Sequence, residues 1–331
     1  MRRQSVQKEK KQFLAMQIMK RQLNRIYAML AAMLITVESF ALPASDYTGK
    51  SVLAEGRWVK ISVVTSGIYQ ITHSELQSWG FNPSKVKIYG YGGAMLSEKF
   101  SDPYIDDLPQ IPVLRTGDRI LFYAQGTVLW ENSGNGFTHT QNCYATAGYY
   151  FITENDEPVA TIQQKDDNAA RQATTTTLFD DYALYENELY NIGNMGRNLY
   201  GEDFVYTTTR DFTFDIPGIS GDVTMQVDFV AKLATSAKLT IKHNGTDLTA
   251  GDANNISAFG SSDDWYYTAG KLTTIKKTFT PDPSAPDVIT LQLKATSPVT
   301  ARLDYIKLQM KRELKLYGGA VKFRSLNASN S

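Results

Sequence analysis

The feature that most constrains the fold of this chain is an alternation of apolar and polar residues with a period of two. It is clearest in two segments: Phe212, Phe214 and Ile216, then Val223, Met225, Val227 and Phe229. Such alternation is typical of strands with one buried face, because successive side chains point to opposite sides of a sheet. Turn-forming Gly, Pro, Asn and Asp separate the segments. The sequence therefore predicts an all-β protein.

Strand-like segments occur in both halves of the chain. They are residues 58–64, 68–71, 86–89, 119–123, 127–130, 148–153, 239–241, 272–279, 288–293 and 301–310. We expect Ser66-Gly67 to turn the first segment into a hairpin with the second, and Asn244-Gly245 to close a later hairpin. Thr72 and Glu75 match the capping box of a short helix.

A polar stretch at residues 154–177 divides the chain. It has too few large apolar residues to contribute to a core, so we interpret it as an exposed linker. The predicted organisation is a small β-rich domain with one short helix at residues 42–153. An antiparallel, jelly-roll-like β-sandwich follows at residues 178–325, with a tail at residues 326–331.

The N-terminal region has the order of an export signal. A basic region is followed by an apolar stretch at residues 26–37 and by Ser39-Phe40-Ala41, which has the small-x-small pattern of a signal-peptidase site. The apolar stretch is shorter than the roughly 20 residues needed to cross a bilayer. We expect a signal peptide at residues 1–41 and an exported chain from Leu42, with an uncleaved anchor as the alternative.

Charge and cysteine content exclude some classes of function and stabilisation. The chain has 34 basic and 34 acidic residues, which argues against a nucleic-acid partner. Cys143 is the single cysteine, so no intramolecular disulfide can form. Stability therefore has to come from burial of apolar surface.

Cys143 and His139 form the one pair that could act as nucleophile and base. Residues four apart on an extended strand lie about 13 Å from each other, whereas proton transfer needs a separation of roughly 3 Å. We therefore interpret Cys143 as a small hydrophobic residue. No catalytic, cofactor-binding or metal-binding residue is predicted.

Two acidic clusters resemble fragments of a Ca²⁺ site. The first is Asp102, Asp106 and Asp107, in a Pro-rich loop. The second is Asp263-Asp264 beside the aromatic residues 265–267, which would also suit the edge of a glycan site. The first cluster lacks the spacing of an EF-hand loop. A solvated acidic turn is the favoured interpretation of both clusters, so no cofactor is predicted.

Several motifs, taken in order, carry a resemblance to a known family. They are Gly56-Arg57-Trp58-Val59-Lys60-Ile61, Gly67-Ile68-Tyr69, Tyr89-Gly90-Tyr91-Gly92-Gly93, Asp106-Asp107-Leu108-Pro109, Gly117-Asp118, Leu121-Phe122-Tyr123, Gly148-Tyr149-Tyr150-Phe151 and Leu303-Asp304-Tyr305-Ile306. Over residues 50–325 the chain resembles the N-terminal region of the PorU family. These are gingipain-like cysteine peptidases that act as the C-terminal signal peptidase, or sortase, of the type IX secretion system in Bacteroidetes.

The resemblance implies a region without catalytic residues. In that family the catalytic His-Cys pair lies in a gingipain-type domain after the β-rich modules, and the resemblance ends near residues 322–324. The chain is therefore expected to be a truncated gene product or a fragment. Its implied role is to position or shield the peptidase domain and to dock on protein partners of the secretion machinery, in the periplasm or at the outer membrane. A sandwich that binds surface glycan or another protein unaided is the alternative, and a self-sufficient enzyme is the third.

Overall fold

The computed structural model describes most of the chain after the predicted export signal. The described residues are 16, 19–27, 47–99, 101–103, 105–163, 176–194, 196–260, 268–319 and 321–326. Residues 19–27 are helical and exposed, whereas the predicted cleavage site lies outside the described residues. No helix within the described ranges is long and apolar enough to span a membrane.

The chain divides into two compact units. The smaller comprises residues 1–54 and 97–108, and the larger comprises residues 55–96 and 109–331. In the smaller unit a 3-10 helix, Val52–Ala54, begins where the backbone N–H of Val52 donates to the carboxylate of Asp107 over 2.6 Å. The larger unit contains the strands that are described below.

The strands are numbered in chain order. We divide the larger unit into a first part, which contains β1 to β8, and a second part, which contains β9 to β16. The strands of the first part are β1 (Val59–Val63), β2 (Gly67–Thr72), β3 (Val86–Tyr89), β4 (Leu114–Thr116), β5 (Arg119–Ala124), β6 (Val128–Asn132), β7 (Phe137–Gln141) and β8 (Gly148–Glu154). Those of the second part are β9 (Leu178–Glu186), β10 (Thr209–Phe214), β11 (Ile219–Lys232), β12 (Lys238–His243), β13 (Thr246–Asp247), β14 (Lys271–Phe279), β15 (Asp287–Lys294) and β16 (Thr300–Glu313). The prediction of a mostly β fold is confirmed.

The first part contains two three-stranded sheets, ordered β1-β8-β3 and β2-β5-β4, and the β6-β7 hairpin. Its core includes Leu76, Ile88, Phe122 and Ile152, all fully buried.

The predicted hairpin of β1 and β2 is wrong, because β1 pairs with β8 and β2 pairs with β5. A distant segment occupies the corner between the two strands. The Ser66 hydroxyl accepts the N–H of Gly126 over 2.9 Å, and the Val64 carbonyl accepts the N–H of Thr127 over 3.3 Å.

The predicted capping box begins a short helix, α1 (His73–Ser78). The Thr72 hydroxyl accepts the Glu75 N–H over 3.2 Å, and the Thr72 N–H donates to the Glu75 carboxylate over 2.8 Å. We expect Thr72→Ala to lower the free energy of unfolding by about 1 kcal/mol, because it removes the hydroxyl that accepts the Glu75 N–H. Urea denaturation measures this. Thr72→Ser keeps the hydroxyl and should lose less than half as much; equal losses would contradict the capping role.

The second part is a β-sandwich of two four-stranded sheets, ordered β14-β11-β16-β9 and β10-β15-β12-β13. Fully buried side chains from both sheets form its core, among them Phe229, Leu239, Ile241, Leu291 and Ile306. The predicted turn at Asn244-Gly245 has positive φ at both residues, 44° and 85°, as a tight hairpin turn requires. The predicted sandwich is therefore confirmed.

The start of the predicted linker packs on the first part. Glu154 is the last residue of β8, Val159 packs against the first core, and Thr161 forms a parallel bridge with Val113. Residues 164–175 lie outside the described residues. The boundary at residues 154–177 stays a prediction.

Candidate functional site

The β6-β7 hairpin lies on the outer face of the sheet β14-β11-β16-β9. Trp130 stacks on Tyr182 with ring centroids 3.5 Å apart and an interplanar angle of 15°. The backbone N–H of Phe137 donates to the side-chain oxygen of Gln309 over 2.6 Å, and the Lys307 ammonium donates to the Phe137 carbonyl over 3.1 Å. The outer face of such a sheet is commonly solvated. Here the hairpin covers the part of this face that β9 and β16 form, and it joins the two parts of the larger unit.

Strand register decides which side chains meet the hairpin. The antiparallel pairing of β9 and β16 places Glu186 opposite Tyr305 and Tyr182 opposite Gln309. Between β11 and β16, Asp228 pairs with Tyr305 and Phe229 pairs with Leu303. Asp304 is therefore the extra residue of a β-bulge, and a bulge redirects the side chains around it.

These elements enclose what we name the acidic cleft, an open cavity of about 380 Å³ beside the hairpin. Its walls include His139 and Cys143 from the hairpin side, Glu186 and Glu188 from β9 and the residues after it, and Asp304 and Lys307 from β16. Three of these side chains are carboxylates and one is a lysine. The cleft therefore gathers acidic groups at the edge of a packed interface.

Burial and mutual repulsion change the acidity of two of these carboxylates. Burial, followed by the charges of Glu186, Asp228 and Glu188, raises the pKa of Asp304 to about 7. Burial, the charge of Glu186 and a hydrogen bond with Glu186 raise the pKa of Glu188 to about 7. Both carboxyl groups therefore gain or lose protons near neutral pH.

Two buried atoms in the cleft have no hydrogen-bond partner. The side chains of Glu186 and His139 are 9% and 5% exposed, and Glu186 Oε2 lies 3.2 Å from His139 Nε2. That contact lacks hydrogen-bond geometry, and both Glu186 Oε2 and His139 Nδ1 are unpartnered. The imidazole ring is held edge-on to Tyr305, with centroids 4.6 Å apart. An unpaired buried polar atom costs free energy, so this position favours an added donor.

In the structure, the side chains of His139 and Cys143 contact different residues. His139 lies within the extended strand β7, and its Nε2 approaches Glu186. Cys143 is half-buried beyond the end of β7, with its Sγ 3.9 Å from the Sδ of Met95. Both residues line the acidic cleft. The absence of a catalytic role for Cys143 stays a prediction.

The first acidic cluster makes hydrogen bonds within the smaller unit and at its edge. Asp107 accepts hydrogen bonds from the Ser51 hydroxyl over 3.0 Å and from the Val52 N–H over 2.6 Å. Asp106 accepts the Thr48 N–H, and Asp102 accepts the Ser97 hydroxyl. Among the described residues, no three His, Cys, Asp or Glu side chains converge on a position suited to a metal ion. Residues 263 and 264, the second cluster, lie outside the described residues.

The sequence reasoning missed the carboxylates of the cleft. One signal was available in the sequence: the apolar residues Leu303 and Ile306 are three apart within one predicted strand. The structure buries both of them fully. A regular strand puts residues three apart on opposite faces, so two core residues at this spacing indicate a bulge between them. Asp304 lies at that bulge.

Comparison with solved structures finds a protein with a similar architecture. The structure of dimeric latent PorU from Porphyromonas gingivalis matches 86% of this chain with a TM-score of 0.74 and 29% sequence identity. This chain is a PorU-like region. The match covers 27% of the length of PorU, so the PorU-like region corresponds to a minor share of that protein.

Other solved structures match the PorU-like region weakly. A family 35 carbohydrate-binding module from Clostridium thermocellum covers 40% of this chain and 95% of its own length, at 16% identity and a TM-score of 0.25. BuGH86 in complex with neoagarooctaose covers 77% of this chain and 32% of its own, at 9% identity and a TM-score of 0.26. Neither match supports an argument about function. No family model matches the chain, and no curated protein matches its sequence.

Proposed function

We propose that this chain is the non-catalytic N-terminal region of a type IX secretion sortase, the gingipain-like cysteine peptidase that removes C-terminal secretion signals. The likeness to PorU carries this proposal, at a TM-score of 0.74 and 29% identity over 86% of the chain. In this proposal the peptidase chemistry belongs to a separate gingipain-type domain. Exported location, in the periplasm or at the outer-membrane surface, is part of the same proposal.

The contacts of the hairpin support a role in positioning that domain. Trp130 and Phe137 attach the hairpin to β9 and β16, so the first part and the sandwich form one continuous surface. A surface fixed by stacking and backbone hydrogen bonds can hold a neighbouring domain in one orientation. The solved PorU is a dimeric latent form, which supports a shielding role. Protein partners of the type IX machinery would then dock on this surface.

Mixing the purified chain with a separately expressed gingipain-like peptidase domain tests the proposal. We expect the two to form a complex that size-exclusion chromatography with light scattering detects. We expect the chain alone to leave a protein with a type IX C-terminal signal uncleaved, because the Cys143 Sγ contacts the Met95 Sδ and the His139 Nε2 approaches Glu186. Cys143→Ala should bind the peptidase domain within about twofold of the unmodified chain, since a half-buried thiol contributes little to a docking surface.

Two results would contradict the proposal. One is the lack of any complex with the peptidase domain. The other is thiol-dependent cleavage by the chain alone that is lost in Cys143→Ala. The second result would also overturn the assignment of Cys143 as a non-catalytic residue.

A further inference from the structure

More carboxylates than cationic side chains line the acidic cleft. Glu186, Glu188 and Asp304 face Lys307, and the Lys307 ammonium already donates to the Phe137 carbonyl over 3.1 Å. Buried carboxylates are costly unless a positive charge or hydrogen-bond donors compensate them. The cleft is open to solvent at its mouth, so a cation from outside can reach them.

An independent observation shows where such a cation would bind. Glu186 Oε2 belongs to a side chain that is 9% exposed, lines the cleft and has no hydrogen-bond partner. His139 Nε2 lies 3.2 Å away without the geometry of a hydrogen bond. A charged N–H donor at this oxygen would make a charge-assisted hydrogen bond, which is about twice as strong as a neutral one.

The dimensions of the cleft favour an organic cation over a metal ion. In the part of the chain that the structure describes, no three metal-ligating side chains converge on one point. Ca²⁺ needs six to eight oxygen ligands close around it. A volume of about 380 Å³ instead suits a larger group. A planar guanidinium has five N–H donors and can bridge separated carboxylates, and the ring of Tyr305 in the wall offers it an aromatic contact.

We infer that the acidic cleft binds a guanidinium group, as carried by an arginine side chain of another polypeptide segment. Three carboxylates would accept its hydrogen bonds. They are Glu186 at the end of β9, Glu188 just after it, and Asp304 at the bulge of β16. This inference goes beyond the proposed function and does not depend on it, because the test uses a small arginine compound and needs no peptidase domain.

Binding should depend on pH through the carboxyl groups of the cleft. The titratable groups that face or border it include His139, Cys143, Glu186, Glu188, Tyr200, Asp228, Lys276, Asp304, Tyr305 and Lys307. Glu188 and Asp304 have pKa values of about 7. A bound cation favours their ionised forms, so affinity should fall as the pH decreases through 7.

The experiment is an NMR titration of the full chain with N-acetylarginine amide at pH 8. N-acetylcitrulline amide, which has nearly the same shape without the charge, is the matched ligand control. We expect the arginine compound to bind at least about tenfold more tightly than the citrulline compound, because only the former makes charge-assisted hydrogen bonds. Its affinity should be about fivefold lower at pH 6 than at pH 8, because both carboxyl groups are then mostly protonated.

Variants localise the binding. Glu188→Gln and Asp304→Asn should each weaken the arginine compound about fivefold or more, since each removes a charged acceptor. Glu131→Gln changes an exposed carboxylate of β6 outside the cleft and should leave the affinity unchanged. Thermal denaturation of each variant verifies that it is folded. A variant that binds weakly while its melting temperature is unchanged or raised supports the site.

The inference is overturned if citrulline binds as tightly as arginine, or if the two cleft variants leave the affinity unchanged. It is also overturned if N-acetyllysine amide binds as tightly, because a guanidinium site should prefer the planar group. Binding of CaCl₂ in place of the arginine compound would assign the cleft to a metal ion instead.

Discussion

Replacing Trp130 with alanine is expected to lower the free energy of unfolding by about 3 kcal/mol and to release the β6-β7 hairpin from the sandwich. Trp130 stacks on Tyr182 at 3.5 Å, and its ring also contacts His139 at a centroid distance of 5.2 Å. Truncation of a tryptophan to alanine in a packed site typically costs 3–5 kcal/mol, and partial exposure of Trp130 puts it at the low end. Urea denaturation monitored by circular dichroism measures the loss.

Hydrogen exchange of the same variant measures whether the hairpin itself has separated from the sheet. The Phe137 N–H donates to Gln309 across the interface, so its protection should decrease strongly when the hairpin separates from the sheet. Trp130→Phe keeps an aromatic ring against Tyr182 and serves as the matched control, with an expected loss of about 1 kcal/mol. If Trp130→Ala changes stability by less than about 0.5 kcal/mol and Phe137 stays protected, the hairpin is not what joins the two parts.

This interface was beyond prediction from the sequence because alternation indicates strands but not their partners. The pattern identified β1 and β2 correctly as strands, yet it paired them with each other. Their partners, β8 and β5, lie far along the chain. The hairpin ends at Gln141 and docks on β9 and β16, which begin at Leu178 and Thr300. The side chains that make these contacts are not connected by local periodicity.

Strand β9 was not predicted from the sequence, because its charged residues resemble those of an exposed segment. Its sequence begins with Leu178 and Phe179 and continues with Asp180 and Asp181, and two adjacent aspartates are normally solvated. Here Asp180 pairs with Lys311 at 2.7 Å, and Asp181 pairs with Arg312 at 2.7 Å and with Arg324. Cations from the end of the chain allow these carboxylates to be buried, and nothing near β9 in the sequence indicates them.

The features that were predicted correctly from the sequence depend on interactions between neighbouring residues. The capping box of α1 and the Asn244-Gly245 turn need only neighbouring residues, and both have the expected geometry. Simple alternation also predicts the buried face of β11, and this prediction is correct from residue 223 to residue 229. The acidic cleft needs a bulge, a register and a docked hairpin together, so its residues could be identified only from the fold.

Replacing Asp304 with asparagine is expected to stabilise the protein at pH 8, the opposite of what most substitutions do. In the folded state, burial and the neighbouring carboxylates raise the pKa of Asp304 from 3.8 to about 7. The folded protein therefore binds this proton more tightly than the unfolded chain does, and the free energy of unfolding falls as the pH rises from about 4 to about 7. Above pH 7 the full cost of the buried charge is present.

The size of the effect follows from the same two values. The difference between 3.8 and about 7 corresponds to roughly 4 kcal/mol. Because the cleft is open and solvent screens part of the repulsion, we expect about half of this, near 2 kcal/mol. Asparagine has a similar shape and carries no charge, so Asp304→Asn should recover about 2 kcal/mol at pH 8. At pH 4, where the folded carboxyl group is already neutral, it should recover almost nothing.

Urea denaturation of Asp304→Asn and of the unmodified chain at pH 4, 6 and 8 measures this difference. Glu131→Gln is the matched control, because its carboxylate is exposed and neutralising it should change stability by less than about 0.5 kcal/mol at every pH. An Asp304→Asn variant that is less stable than the unmodified chain at pH 8 would mean that partners within the fold already compensate the carboxylate. The acidic cleft would then have no unbalanced charge to offer a guanidinium, so this stability measurement also constrains the binding inference before any ligand is added.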